Sequence, residues 1–348
     1  GLPLSVDPLE REVYLNSQFE VPASRRMYTV FEQPDLKAEF TFSVTAPARW
    51  KVVSNSPTPE PVAVSDDVAR WDFPATPRIS SYITALVAGP YEATYSELTS
   101  ADGRVIPLGV FARKSLWQYL DADYVFDKTR QGFAYFEEKF GFPYPFAKYD
   151  QLFVPEFNAG AMENAGAVTF TETYVFRSKV TDAVKERRVV TILHELAHMW
   201  FGDLVTMKWW NGIWLNEAFA TFMEMMATDA FRPEWDRWTT FGLSRTAAFD
   251  VDALKTTRPI EFPVISPEDA EGMFDILTYE KGAAVVEPEK KQTAASWKDR
   301  KSYIAGNGHG WTSNTALDDS KRSSPAFDEY KRALAEKVGA ERAQQILT

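Results

Sequence analysis

Two of the three histidines in this 348-residue chain, His194 and His198, stand four positions apart on either side of Glu195. On a helix, residues four apart lie one turn above each other on one face. Both imidazoles of His194-Glu195-Leu196-Ala197-His198 can therefore reach one tetrahedral Zn²⁺, while Glu195, about 100° round the axis, lies beside the metal without ligating it. A catalytic zinc takes three protein ligands and keeps one position open for water. Glu217, separated from His198 by eighteen residues, is the candidate third ligand. It stands at the start of a second helical run, NEAFATFMEMMATDAF, behind a turn signal at Asn211-Gly212 that would fold this helix back against the first. The alternative is an amphipathic core helix with two satisfied histidines, but a histidine-poor chain that places two imidazoles around one glutamate favours the metal. Phe201 and Leu204 occupy the positions where the metzincin pattern needs a glycine and a third histidine, which excludes that variant.

Several elements must hold these residues in place. Up to about residue 92 the sequence predicts strands, in EVYLNSQFEV, KAEFTFSVTA, RWKVVSNS, ARWDFPAT and SSYITALVAG, where β-branched and aromatic residues sit between turn residues. The stretch from Ala93 to Asp102 is polar, and RVIPLGVFAR follows as a strand. A helix ends at Gly141, YDQLFVPEF is a strand, and the glycine-rich run Asn158–Gly166 is expected to form no regular element. AVTFTETYVF returns to strand, and Thr181 or Asp182 caps the helix of the two histidines, with Gly202 ending it. Mostly helical sequence continues to Val286. Residues 287–348 are polar, with Gly306, Gly308 and Gly310 in a loop and a helix starting at Ser324-Pro325.

Composition sets outer bounds. With 45% hydrophobic and 25% charged residues the chain matches ordinary globular proteins. A net charge of −11 argues against a nucleic-acid partner and suits ligands that carry positive charge. There is no cysteine, hence no disulfide framework, and no apolar run long enough to span a membrane. The start at Gly1-Leu2-Pro3, without initiator Met or signal peptide, reads as a fragment or a processed piece. A cytoplasmic monomer is expected.

Gly160-Ala161-Met162-Glu163-Asn164, upstream of the two-histidine motif and its distant glutamate, carries a resemblance to the aminopeptidase N family of zinc aminopeptidases, bacterial type. It extends over about residues 1–286 and includes YLNSQFE, WKVVSNS, WLNEAFATFME and FDILTYEKGA. The resemblance implies an α+β architecture: part of a β-rich amino-terminal domain over residues 1–92, a thermolysin-like catalytic domain over 93–286, and an unassigned, partly helical tail over 287–348. It implies one Zn²⁺ per chain and peptide substrates with a free amino terminus. Zinc-bound water would attack the scissile carbonyl with Glu195 as general base. Glu163 would bind the substrate α-amino group with Glu20 as second anchor. Gln18 and Ala159 would line the first side-chain pocket. The backbone of Gly160 and Ala161, with Met162 and Asn164 in the same motif, would align the substrate main chain. Tyr279 would stabilise the oxyanion.

Other readings stay open at this stage. Glu224, two turns beyond Glu217, is either a partner of a ligating histidine or part of a solvated helix face. A thermolysin-like endopeptidase would use an extra histidine, and the spare one is His309. A related epoxide hydrolase and a non-catalytic fragment complete the alternatives. Thr257-Arg258-Pro259 stands where relatives carry Ser-His-Pro, a variation expected to be harmless. Against the resemblance, roughly a hundred residues of the amino-terminal β domain are expected to be missing from this sequence, and Glu287-Pro288 is expected to break a helix that begins near Phe274. A weakly active, poorly stable fragment is the expectation from these departures.

Overall fold

The computed structural model describes residues 4–286 and 325–347. The expected break at Pro288, the loop of Gly306, Gly308 and Gly310, His309 and Ser324 lie outside the described residues. The chain divides into two compact units, Gly1–Leu204 and Val205–Thr348.

The first unit opens with seven strands: β1 (Leu4–Val6), β2 (Val13–Asn16), β3 (Ser43–Pro47), β4 (Lys51–Ser54), β5 (Val62–Ala63), β6 (Val68–Asp72) and β7 (Leu86–Gly89). They form a four-stranded sheet in the order β1-β2-β7-β4 and a three-stranded sheet in the order β3-β6-β5. Val52, Leu86 and Ala88 of the larger sheet share a buried cluster with Ala46, Ala69, Trp71 and Phe73 of the smaller one and its edge. Alternation explains this: along β6 the buried residues are Ala69 and Trp71, while Arg70 and Asp72 face water, the period-2 pattern of a half-buried strand.

Two strand predictions are corrected here. The EVYLNSQFEV strand stops at Asn16, so Gln18 and Glu20 lie beyond it. Pro22 has no N–H to give a ladder, and Ala23 N–H closes a turn onto Phe19 O instead. Ser81–Ile83 is a 3₁₀ turn before β7 rather than strand.

A third sheet follows: β8 (Tyr91–Thr99), β9 (Val105–Arg113), β10 (Tyr149–Val154), β11 (Ala161–Met162) and β12 (Ala167–Thr171), with α1 (Lys114–Trp117), α2 (Ala122–Phe140) and α3 (Asp182–His198) between and after them. The order is β11-β12-β10-β9-β8; β10 runs parallel to β9 and β12, and the outer pairs are antiparallel. Every residue of β10 is buried, as a central strand covered on both faces requires. The polar stretch at Ala93–Asp102 thus contains most of β8, whose mix of half-buried and exposed positions hides the usual alternation. The glycine-rich run is not wholly irregular either, since β11 pairs Ala161 with Phe170 and Met162 with Thr169.

Helix α2 ends where expected, with Gly141 at φ 58°, a left-handed conformation that glycine adopts without Cβ strain. Helix α3 ends earlier than expected, at His198. Tight turns from Trp200 and Phe201 onto Ala197 O carry the chain on to Gly202.

In the second unit a 3₁₀ turn at Trp210–Gly212 leads into α4 (Ile213–Phe231), followed by α5 (Arg237–Asp252), a π-helical turn at Leu277–Lys281 and α6 (Gly282–Val286). The helix expected from Phe274 therefore starts only at Leu277. Beyond it, α7 (Pro325–Val338) and α8 (Ala340–Leu347) form a helical pair, and Tyr330 of α7 stacks on Phe219 of α4 at 5.7 Å.

Candidate active site

Helix α3 is held by its apolar face: Val189, Ile192, Leu193, Leu196 and Ala197 are fully buried. Helix α2 comes close enough at Gly132 that a Cβ there would stand 2.7 Å from both Leu193 and Leu196. One turn of this fixed helix presents His194 and His198, whose Nε2 atoms lie 3.0 Å apart. His198 Nδ1 lies 2.9 Å from the carbonyl oxygen of Phe201. A carbonyl only accepts, so Nδ1 carries the proton and Nε2 keeps its lone pair.

The residues present fit a metal. Two nitrogens bound at about 2.0–2.1 Å to one tetrahedral ion would be about 3.3 Å apart, close to the spacing seen, and a backbone carbonyl behind the imidazole is the usual device for fixing a ligating tautomer.

Two carboxylates crowd the same place. Oxygens of Glu163 and Glu195 and a ring nitrogen of His198 all lie within 4.8 Å of one another, as do oxygens of Glu20 and Glu163. Glu163 and Glu195 are buried. At an effective dielectric of 20, two like unit charges 4.8 Å apart repel by about 3.5 kcal/mol, which a cation placed between them would offset. Glu163 is positioned by the β11–β12 pairing, and Gly160 O accepts from Thr171 N–H at 3.0 Å. Gly160 and Ala159 are exposed, whereas Met162 and Asn164 are buried. Asn164 Nδ2 donates to Thr169 Oγ1 at 3.3 Å. Gln18 is half-buried, and its side-chain oxygen has no hydrogen-bond partner among the described residues.

Asp203 is a member of this group that spacing alone does not reveal. It is buried, its N–H donates to His198 O at 3.0 Å, and Lys37 Nζ donates to its carbonyl at 2.6 Å. Burial, then the nearby Glu163, pushes its carboxyl well above the usual carboxylate range, with Glu195 adding to the effect and His198 and Lys37 opposing it. The only sequence signal is its place beside Gly202, just past the second histidine.

In the second unit Glu217 is buried in the first turns of α4. Glu224 is buried too, not on a solvated face, and its Oε1 lies 3.1 Å from Arg237 Nη2. Tyr279 is half-buried within the π-helical turn, a geometry that recurs at functional sites. Helix α4 packs against this turn and against α6. At Gly282 a Cβ would meet Ala218 Cβ at 2.7 Å, and neither atom has a rotamer to yield. Gly282→Ala should therefore destabilise the chain by about 1–3 kcal/mol through overpacking, measured as a lower urea midpoint. A midpoint equal to wild type would show that the helices part freely.

Arg258 is not idle. Its Nη2 donates to Asp275 Oδ1 at 2.7 Å, to Thr278 Oγ1 at 2.9 Å and to Met273 O at 3.2 Å, and so holds the start of the turn that carries Tyr279. A lysine ammonium has no second nitrogen to keep the Nη1 bond to Pro259 O at 3.2 Å, so it cannot reproduce the planar fork. Should Tyr279 take the oxyanion role that the resemblance implies, Arg258→Lys lowers kcat by about tenfold with KM within about twofold, the pattern of a lost transition-state contact. Steady-state kinetics decide this, and an unchanged kcat would remove Arg258 from any role in positioning Tyr279.

Among known proteins, residues 124–296 match the family model described as the peptidase family M1 domain, and residues 8–83 match the peptidase M1 N-terminal domain. Over 290 residues the chain is 57% identical to Aminopeptidase N of Streptomyces lividans, covering 82% of this chain and 33% of that protein. It is 39% identical over 281 residues to Probable aminopeptidase 2 of Sulfurisphaera tokodaii, covering 80% and 35%. It is 35% identical over 274 residues to Tricorn protease-interacting factor F2 of Thermoplasma acidophilum, covering 78% and 34%. The chain thus spans about a third of the length of these relatives.

Proposed function

Because the chain belongs to peptidase family M1, the aminopeptidase N family, we propose that it is a zinc-dependent aminopeptidase that removes the amino-terminal residue from peptides. The observation that carries this reading is the convergence of Glu163, Glu195 and His198 within 4.8 Å, which supports Glu163 as the carboxylate that would bind the amine and Glu195 as the general base beside the histidine pair. His194, His198 and Glu217 would hold one zinc ion: the histidines through their convergent Nε2 atoms, Glu217 by its spacing and its buried place on α4. When bound, zinc supplies Lewis acidity toward water and the scissile carbonyl.

The chain's own groups do the rest. Glu163 and Glu20 hold the substrate ammonium, which fixes the register at one residue from the free end. Gly160 and Ala161 align the substrate main chain beside Met162 and Asn164, and Ala159 and Gln18 border the first side-chain pocket. Glu195 takes the proton of the attacking water and passes it to the departing amine. Tyr279 donates its hydroxyl hydrogen to the oxygen that gains negative charge. The family resemblance supports the Tyr279 and Gln18 roles; the 4.8 Å clusters support those of Glu163, Glu20 and Glu195.

We read the domain layout as a β-rich domain over 1–92, a catalytic domain over 93–286 and a tail over 287–348. A cysteine-free chain needs no oxidising compartment, and no helix among the described residues is long and apolar enough to cross a membrane. The reading takes the protein as a cytoplasmic monomer that acts on peptides.

Metal content tests the ligand set. Purified protein should contain about one zinc per chain; His198→Ala and Glu217→Ala should lose it, and Glu195→Gln should keep it. An empty site in Glu195→Gln would assign the metal to the Glu163–Glu195–His198 group instead.

A further inference from the structure

Asn55, at the end of β4 and only 8% exposed, uses its whole amide. Its Nδ2 donates to Ile83 O and to Ala165 O, both at 2.9 Å, and its Oδ1 accepts from Ala85 N–H at 2.8 Å. Ala165 stands two residues after Glu163, and its own N–H donates to Ile83 O at 3.2 Å. Glu163 is thus fixed on both sides, by the Met162–Thr169 pairing before it and by Asn55 and Ile83 after it.

The other end of the same short segment holds the other carboxylate. Leu86 N–H donates to Ser17 Oγ at 2.8 Å, and Ser17 N–H returns to Leu86 O at 2.9 Å. Ser17 stands three residues before Glu20. The run Ile83–Leu86 is therefore a rail with the Glu163 segment fastened at one end and the Glu20 segment at the other, and Asn55 is the side chain that locks the first to it. Oxygens of the two carboxylates end within 4.8 Å of each other. Two like charges hold such a spacing only against their repulsion, so something must fix the backbones that carry them.

We propose that Asn55 is a positioning residue that sets the spacing of Glu20 and Glu163, and through it the preference of the site for a free amino terminus. The proposal rests on the aminopeptidase reading above. Asn55 acts through the backbone of Ile83, Ala85 and Ala165. Loss of its side chain would leave two buried carbonyls, of Ile83 and Ala165, and the buried Ala85 N–H without that partner, so that the Glu163 segment drifts while β11 and β12 stay paired.

The test compares L-leucinol with 4-methylpentan-1-ol, the same molecule without its amino group, as ligands of the zinc-loaded chain in calorimetric titrations. Melting temperatures are recorded for wild type, Asn55→Ala, Ser17→Ala and Ser54→Ala. Ser54→Ala is the matched control: Ser54 Oγ donates to Ala85 O at 2.7 Å, on the same rail, without reaching Ala165. The preference for the amine should fall by about tenfold in Asn55→Ala, by less in Ser17→Ala, and stay at the wild-type value in Ser54→Ala even where the melting temperature drops. An unchanged preference in Asn55→Ala overturns the proposal. Should that variant not fold, Asn55→Ser, which also loses both donors to Ile83 O and Ala165 O, takes its place, and an unchanged preference there overturns the proposal equally. A wild type that binds both ligands alike contradicts the aminopeptidase reading itself, whereas a wild-type preference kept by the variants contradicts only the role of Asn55.

Discussion

Glu195→Gln lowers kcat by about 10²- to 10⁴-fold with KM nearly unchanged. The substitution keeps the size of the side chain and its hydrogen-bonding reach and removes only the basic carboxylate. Glu195 is buried in the last turns of α3, so the amide takes the same position and the helix keeps its packing on α2. The zinc should remain, which separates this effect from loss of metal. Stopped assays with a chromogenic amino-acid amide at saturating concentration measure it, and turnover near the wild-type value would remove Glu195 from proton transfer.

Glu163→Ala raises KM for free-amine substrates by about ten- to 150-fold, since a charge-assisted hydrogen bond to an ammonium is worth about 1.5–3 kcal/mol. Glu163 is the more buried of the two anchors and Glu20 the less. The attraction that each exerts on a cation grows as water is excluded, so Glu20→Ala should act in the same direction and more weakly. The two carboxylates are neighbours, so their effects should not add, and the double variant should fall short of the sum. Cleavage of a free-amine amide with wild-type KM by Glu163→Ala would assign amine binding elsewhere.

The most local part of the site is also the part most legible in the sequence. His194, Glu195 and His198 share one helical turn, and 3.6 residues per turn puts both imidazoles on one face; the 3.0 Å Nε2 separation also needs the ring orientation that the Phe201 carbonyl gives His198. Glu163 and Glu20 could be named only through the resemblance, because their approach depends on a rail formed by residues 83–86, far from both in sequence. The same holds for Asn55 and Asp203, which carry no motif of their own and gain their roles from partners that the fold supplies.

Errors in the element reading have equally physical roots. β8 was hidden because its polar face is real and half-exposed. β11 was hidden because two residues in a glycine-rich run pair only once β12 is present. Glu224, read as either a histidine partner or a solvated charge, is a buried partner of Arg237, a contact between two helices that no period within α4 could show. The ending of α3 at His198, ahead of Gly202, reflects carbonyl-sharing turns that glycine placement does not report.

The measurement that tests the central claim most directly is the hydrolysis of one chromogenic amino-acid amide and of its N-acetylated twin by the same zinc-loaded protein. Acetylation removes the positive charge that, on this proposal, Glu163 and Glu20 would face, and changes neither the scissile bond nor Glu195. With two carboxylates at about 1.5–3 kcal/mol each, less their coupling, kcat/KM for the acetylated twin should be lower by about 10²- to 10⁴-fold. Equal kcat/KM for the two substrates would contradict an aminopeptidase and would point to an endopeptidase built on the same histidine pair.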